Sequence, residues 1–195
     1  MTIEDPVEYD MAGINQIQVN QRANLTFATG LRSILRQDPN IILVGEIRDE
    51  ETSGIAINLA MTGHLVLSTL HANDAATTIP RLLDLGVEPF LIASTVSVIV
   101  AQRLVRKIHE PCRVSEEVSL DLLRKELSAE LVQKMFPKKS SSQKETTRVY
   151  RGKGCSLCHG SGYAGRVGIF EVLSMDEALR HAIMERATAS EIQTI

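Results

Sequence analysis

An α/β fold built on a mostly parallel sheet, with helices on both faces, follows from two features of this sequence. Short, continuously aliphatic runs alternate with stretches of helical periodicity between residues 1 and 104. Each helical stretch is opened or closed by residues that cap helices or break them. Thr26 to Asp38 is predicted to be a helix because Phe27, Leu31, Ile34 and Leu35 share one face, and Asp38-Pro39 ends it. Ile41–Val44 is a four-residue aliphatic run closed by Gly45, consistent with a strand buried on both faces. Asp49 caps a helix with Glu50 and Glu51 in its first turn, running to Met61 and stopped by Gly63. Leu65–Leu70 is a second buried strand. Asp74 opens a further helix in which Pro80 implies either a kink or a later start. Pro89 suits the first turn of a helix expected over Phe90–Leu104.

The character changes near Arg106. Leu123, Leu127, Leu131 and Met135 lie at helical spacing within Ser119–Phe136, which Ser128-Ala-Glu130 can divide in two. Pro137–Thr146 is polar and reads as a connector. Arg148-Val-Tyr150, a cysteine pair, a glycine-rich turn and an apolar strand over Val167–Leu173 follow. Asp176 starts a last helix, and the chain stops within the start of another.

Composition bounds the function. The 195 residues are 44% hydrophobic and 23% charged with a net charge of −3, which excludes disordered, collagen-like and supercharged chains. Aromatics make up 4% with no Trp, which argues against a base-stacking platform and for no nucleic-acid partner. No stretch reaches the roughly 18 apolar residues of a membrane span. Glu4, Asp5 and Glu8 stand where a signal peptide would be basic and then apolar, so a cytoplasmic protein is expected. Charge is uneven: residues 106–153 carry a net +5 and the remainder −8. The basic module either meets a partner or is a solvated linker.

Three stretches carry chemistry. Ile41–Val44 delivers Glu46 just past its carboxyl end, where nucleotide-binding α/β folds place ligands and a carboxylate can hold Mg²⁺ or orient an attacking water. Such a strand-end Glu is also commonly structural. Leu65–Leu70 ends in Ser68, Thr69 and His71. Thr2-Ile-Glu4-Asp5-Pro6-Val-Glu8 is a short strand ending in three carboxylates. Arg32 and Arg36 stand at i, i+4 opposite the apolar stripe of their helix, which fits an ordinary solvated face equally well.

Taken together, TIEDPVEY, IILVGEIRDEET and TGHLVLSTLHANDA resemble the aspartate box, Walker B and histidine box of the secretion and type IV pilus ATPase family. The resemblance continues through GLRSILRQDPN, GVEPFLIAST, AQRLVRKI and GSGYAGRVGIFE. It implies a RecA-like core of a homo-hexameric motor that hydrolyses ATP with Mg²⁺ and assembles a type IV pilus or a type II secretion pseudopilus. Such a motor works with a platform protein as a peripheral component of the inner membrane. It further implies that Glu46 is the Walker B carboxylate and that Glu4 and Glu8 are the candidates for activating water. His71 approaches the γ-phosphate and Arg36 neutralises charge at a subunit interface. Asp5, His64, Arg32 and Arg48 stand among the nucleotide-binding residues. The implied division is 1–105 for the second half of the core, 106–165 for a small zinc-binding domain, and 166–195 for a return strand and the start of a helical C-terminal part.

One departure stands out. No G-x-x-x-x-G-K-[ST] motif occurs, and the first Lys is Lys107. The family's P-loop precedes its aspartate box, so the chain is expected to be a fragment that does not hydrolyse ATP alone. A non-catalytic, zinc-containing docking piece is the alternative function.

Cys155-x-x-Cys158 with Gly160-Ser-Gly162 resembles a zinc knuckle. Assembly motors of the family carry two Cys-x-x-Cys pairs and retraction motors do not; here the first pair reads His109-Glu-Pro-Cys112. A Cys₃His set for Zn²⁺ is chemically acceptable, with free thiols as the alternative. Cys155-Ser-Leu-Cys158-His159 also spells a c-type haem attachment motif, but attachment requires export.

Overall fold

The computed structural model describes residues 1–136 and 146–195, so the polar connector falls almost wholly outside the described residues. The chain divides into two compact units, Met1–Gln102 with Phe170–Ile195, and Arg103–Ile169.

The first unit is built on a four-stranded sheet. β1 (Thr2–Glu4), β2 (Gln16–Gln18), β3 (Ile41–Val44) and β4 (Leu65–Ser68) lie in the order β2-β1-β3-β4. Every pairing is parallel, with Thr2 opposite Gln16 and Leu43, and Val44 opposite Ser68. Parallel pairing puts all carboxyl ends on one edge of the sheet, which is what positions the site below.

α1 (Phe27–Leu35) and α2 (Glu50–Met61) connect these strands. Thr26 and Thr29 form a reciprocal capping box at the start of α1. Asp49 caps α2 by accepting from the Thr52 amide at 2.8 Å. Their apolar faces meet the sheet in a core of Ile3, Leu31, Ile34, Ile42, Val44, Ile47, Ala56 and Leu59. Gly30 lets α1 sit close on that layer, since a Cβ there would force Ile3 Cδ1 to move. On the opposite face of the sheet Ile41, Leu65 and Leu67 are 51%, 54% and 46% exposed. Among the described residues, β3 thus buries one face, through Ile42 and Val44, and β4 is covered only in part, at Val66, although their continuous apolar runs suit burial on both faces.

A second core lies beside the first. α3 (Ala75–Asp84) and α4 (Pro89–Thr95) pack against α7 (Glu177–Met184) and α8 (Ala189–Ile192). Ile79, Leu82, Ile92, Leu179, Ile183 and Ile192 fill it. α3 starts at Ala75, under a capping box of Asp74 and Thr77, and continues through Pro80; the later start does not occur.

The helix expected over Phe90–Leu104 is a correction. It stops at Thr95, and β5 runs over Val98–Ile108. Val96, Val98, Ile99 and Val100 are β-branched and stiff at χ1, which favours extended backbone. β5 pairs with β8 (Tyr163–Ser174), a strand longer than the Val167–Leu173 run.

In the second unit β6 (Arg113–Ser119) pairs antiparallel with β7 (Thr146–Gly152), Arg113 opposite Gly152 and Ser119 opposite Thr146. α5 (Leu120–Glu126) and α6 (Ala129–Met135) follow β6 and are capped by Ser119 and Ser128, so the amphipathic segment is indeed divided. Leu120, Val132 and Cys158 are its buried hydrophobic side chains among the described residues.

Ile34 is fully buried between α1 and the sheet. Ile34→Ala in the complete protein should therefore cost about 2–5 kcal/mol, read as a lowered midpoint in urea unfolding.

Candidate functional site

Three short loops at the carboxyl edge of the sheet bring the first group of residues together. β1 ends in Glu4, β3 runs through Gly45 into Glu46, and β4 runs through Thr69 into His71. Gly45 donates its amide to the Ile3 carbonyl at 2.8 Å. A Cβ on Gly45 would lie 3.1 Å from Glu4 Cα and 3.2 Å from the Ile3 oxygen, so a larger residue would have to push β1 and β3 apart by a few tenths of an ångström. Thr69 brackets Glu46. Its hydroxyl donates to the Gly45 carbonyl at 2.7 Å and its carbonyl accepts from the Ile47 amide at 3.0 Å.

The Glu46 side chain is 13% exposed. It forms an ion pair with Arg48, and its Oε2 lies 3.1 Å from His71 Nε2. The Arg48 guanidinium, hydrogen-bonded to the carboxylate, holds Glu46 below the usual carboxylate range, and His71 adds to the effect against the opposing cost of burial. Glu46 is thus a fixed anion, while the exposed His71 imidazole faces outward. Glu4 is also held low, by the Thr2 hydroxyl first and the Gln16 amide second. Asp5 and Glu8 sit exposed on the loop that follows β1. Asp5 and Arg48 line an open cavity of about 290 Å³ between the first turns of α1 and α2.

The other residues expected at the site are placed elsewhere. His64 precedes β4 and lies at the amino edge of the sheet, the opposite end from Glu46. Its Nδ1 contacts the Leu59 carbonyl and the Thr62 hydroxyl, each at 3.0 Å, closing the end of α2. Arg32 pairs with Glu51 at 2.7 Å. Arg36 folds back on its own helix, donating to the Arg32 carbonyl at 2.9 Å and to Ser33 Oγ at 3.1 Å. Neither arginine is brought to Glu46 within this chain.

The second constellation lies in the other unit. His109 follows β5, Cys112 closes a 3-10 turn over Glu110–Cys112, and Cys155 and Cys158 flank a second over Ser156–Cys158. The two turns are clasped by His109 N–H to the Gly162 carbonyl and Lys153 N–H to the Cys112 carbonyl, both at 3.0 Å. Gly152 and Gly162 approach so closely that a Cβ on either would strike the backbone of the other. The four ligand atoms lie within 4.8 Å of one another. Cys112 Sγ is 3.4 Å from His109 Nδ1 and 3.9 Å from Cys158 Sγ; Cys155 Sγ is 3.5 Å from His109 Nδ1 and 3.7 Å from Cys158 Sγ. A tetrahedral zinc ion with the usual bond lengths requires edges of about 3.8 Å between sulfurs and about 3.5 Å between nitrogen and sulfur. The set fits that ion. Burial pushes the Cys158 thiol up, but the Cys155 and Gly162 amides donate to its sulfur, each at 3.2 Å, and bring it down to about 6. The same donors would stabilise a metal-bound thiolate. His159 is exposed, in a left-handed conformation at φ 50°, and is not part of the cluster.

A family described as Type II/IV secretion system protein matches residues 1–195 throughout. The chain belongs to this family. It is 50% identical over 194 residues to the type IV pilus assembly ATPase PilB of Thermus thermophilus, covering all of this chain and 21% of that protein. It is 46% identical over 187 residues to the type II secretion system ATPase E of Vibrio cholerae, covering 96% of this chain and 35% of that one. The chain thus spans about a fifth to a third of the length of these curated relatives. The pilus retraction motor PilT, solved with bound ADP, superposes with a TM-score of 0.62 at 28% identity, covering 99% of this chain and 42% of that chain. The DotB ATPase of Legionella pneumophila shares the fold, with a TM-score of 0.58. The α/β architecture expected from the sequence is therefore that of this family's ATPases.

Sequence reasoning missed Gln16, which holds Glu4 from 12 residues away in the chain. Thr69 stood out only as a strand-end hydroxyl, and its bond to the Gly45 carbonyl, 24 residues away, had no local signal.

The complete protein should purify with about one equivalent of zinc per chain. Cys155→Ser and His109→Ala should lose it, and His159→Ala should keep it, as measured by elemental analysis. Zinc lost from His159→Ala and kept by His109→Ala would exclude His109 as the fourth ligand.

Proposed function

We propose that this chain is the Walker B and histidine-box half of a motor ATPase that couples ATP hydrolysis to assembly of a type IV pilus or type II secretion pseudopilus. The observation that carries the reading is the convergence of Glu46, Glu4 and His71 at the carboxyl ends of adjacent parallel strands. It occurs in a chain 50% and 46% identical to a pilus-assembly ATPase and a secretion ATPase. Carboxylates at such strand ends are suited to water and Mg²⁺ beside phosphates. Bound Mg²⁺ would neutralise phosphate charge there.

In this reading Glu46 accepts a hydrogen bond from the attacking water or from a metal-bound one. Arg48 keeps that carboxylate ionised and oriented, and His71 Nε2 can turn from Glu46 to donate toward a γ-phosphate oxygen. Glu4 orients water from the neighbouring strand, with Glu8 on the loop beside it and Asp5 and Arg48 facing the adjoining cavity. Arg32 and Arg36, on the outer face of α1, would act across a subunit boundary of a homo-hexamer. Residues 1–105 would form the second half of the RecA-like core. Residues 106–165 would form a small domain closed by Zn²⁺ on His109, Cys112, Cys155 and Cys158, and residues 166–195 the return strand and first C-terminal helices. The partner is an inner-membrane platform protein, and the motor is cytoplasmic and peripheral. No helix among the described residues is long and apolar enough to cross a membrane.

A second reading is a zinc-containing docking piece without ATP turnover. In that reading the zinc cluster of the second unit, and not the strand-end carboxylates, is the working part. Both readings are tested in the complete protein. Glu46→Gln should lower phosphate release by about a hundredfold or more while mant-ATP affinity stays within about threefold. Wild-type protein that releases no phosphate would support the docking reading. Equal loss of binding and hydrolysis in Glu46→Gln would make Glu46 a structural residue.

A further inference from the structure

The geometry points to Gln16 as a positioning residue of the hydrolytic site, one that locks the Glu4 carboxylate and the acidic loop after it into a single arrangement. This rests on Glu4 belonging to that site.

Gln16 sits on β2 directly opposite Thr2 in the parallel register, and Glu4 lies two residues on from Thr2, on the same face. The Gln16 side chain uses its whole amide. Nε2 donates to Glu4 Oε1 at 3.1 Å and to the Tyr9 carbonyl at 3.0 Å, and Oε1 accepts from the Met11 amide at 2.7 Å. The orientation is not interchangeable. A flipped amide would set oxygen against two acceptors and nitrogen against a donor. The same Glu4 oxygen accepts from the buried Thr2 hydroxyl at 2.5 Å. Both side-chain donors therefore meet on Oε1, and with a smaller contribution from the Glu8 amide they hold Glu4 below its ordinary range. Gln18, the next residue on the same face of β2, accepts from the Val7 amide at 3.4 Å. β2 is thus a short rail of glutamines along which the loop carrying Asp5 and Glu8 is fastened at Val7, Tyr9 and Met11.

Two carboxylates that must address one water need fixed directions, since misplacement by about 1 Å costs as much as a hundredfold in rate. Gln16 supplies that fixing from a strand that contributes no charged group of its own.

The test uses the complete protein with ATP and Mg²⁺, comparing single-turnover hydrolysis, mant-ATP affinity and thermal midpoint. Gln16→Leu removes the amide. Thr2→Val removes the other donor to Glu4 without touching the loop. Gln16→Glu keeps the acceptor for Met11 but replaces the donor to Glu4, and guards against a folding failure of Gln16→Leu. Each should lower the hydrolytic rate roughly tenfold or more, with mant-ATP affinity within about threefold of wild type and the thermal midpoint little changed. Hydrolysis lost in Glu4→Gln but unchanged in all three variants would overturn the role of Gln16 alone. A rate lowered in both Gln16 variants but not in Thr2→Val would overturn the part of the inference in which Gln16 positions Glu4. Hydrolysis retained by Glu4→Gln would remove Glu4 from the site and the inference with it.

Discussion

The close approach of β1 and β3 at Gly45 is the constraint on which the site depends. Parallel pairing sends the ends of β1, β3 and β4 to one edge, and at Gly45 a Cβ would press tightly on the backbone of Ile3 and Glu4. Once the strands are that close, the charges must be managed. Glu46 is answered by Arg48 and His71, and Glu4 by the neutral donors Thr2 and Gln16. Each carboxylate is thus held below its ordinary range through different partners. Thr69 on one side and Gln16 on the other tie the loops down without adding charge. The apolar core beneath, from Ile3 through Leu59, makes the edge a rigid platform.

The second unit depends on a different kind of cohesion. Its described part buries few apolar side chains, so the hydrophobic term available to it is small. The ligands come from two turns 46 residues apart in the chain, held together by the Gly152 and Gly162 backbones and by two clasping hydrogen bonds. A metal at the four ligand atoms would contribute much of the folding free energy of this unit, as structural zinc does in small domains. The sulfur-directed amides of Cys155 and Gly162 are the local device that prepares the turn for a thiolate.

Features encoded within a few residues were legible in the sequence, and those encoded across the chain were not. Asp49, Asp74 and Asp176 cap helices where their position ahead of apolar periodicity says they should. The spacing of His109 and Cys112 against Cys155 and Cys158 foreshadowed the cluster. Val98–Ile108 was misread because a run of apolar residues after Pro89 suits a helix or a strand alike, and its partner Tyr163–Ser174 lies far along the chain. The three-residue strand β2 is too short for any period, so Gln16 carried no signal. His64 was placed at the nucleotide by the family resemblance, yet a four-residue strand separates it from His71, at opposite edges of the sheet. Arg32 and Arg36 share a helix face as spacing requires, but their partners are Glu51 and their own helix.

In the proposed function the strand ends carrying Glu4, Glu46 and His71 face the terminal phosphate of a nucleotide. A structure of the complete protein with Mg²⁺ and a non-hydrolysable ATP analogue tests it most directly. The γ-phosphate is expected at the carboxyl edge of β1, β3 and β4, with Glu46 in hydrogen-bond reach of a metal-bound or attacking water and His71 turned toward the phosphate. An analogue bound with its γ-phosphate away from these strand ends, and Glu46 still closed on Arg48 and His71, would contradict it.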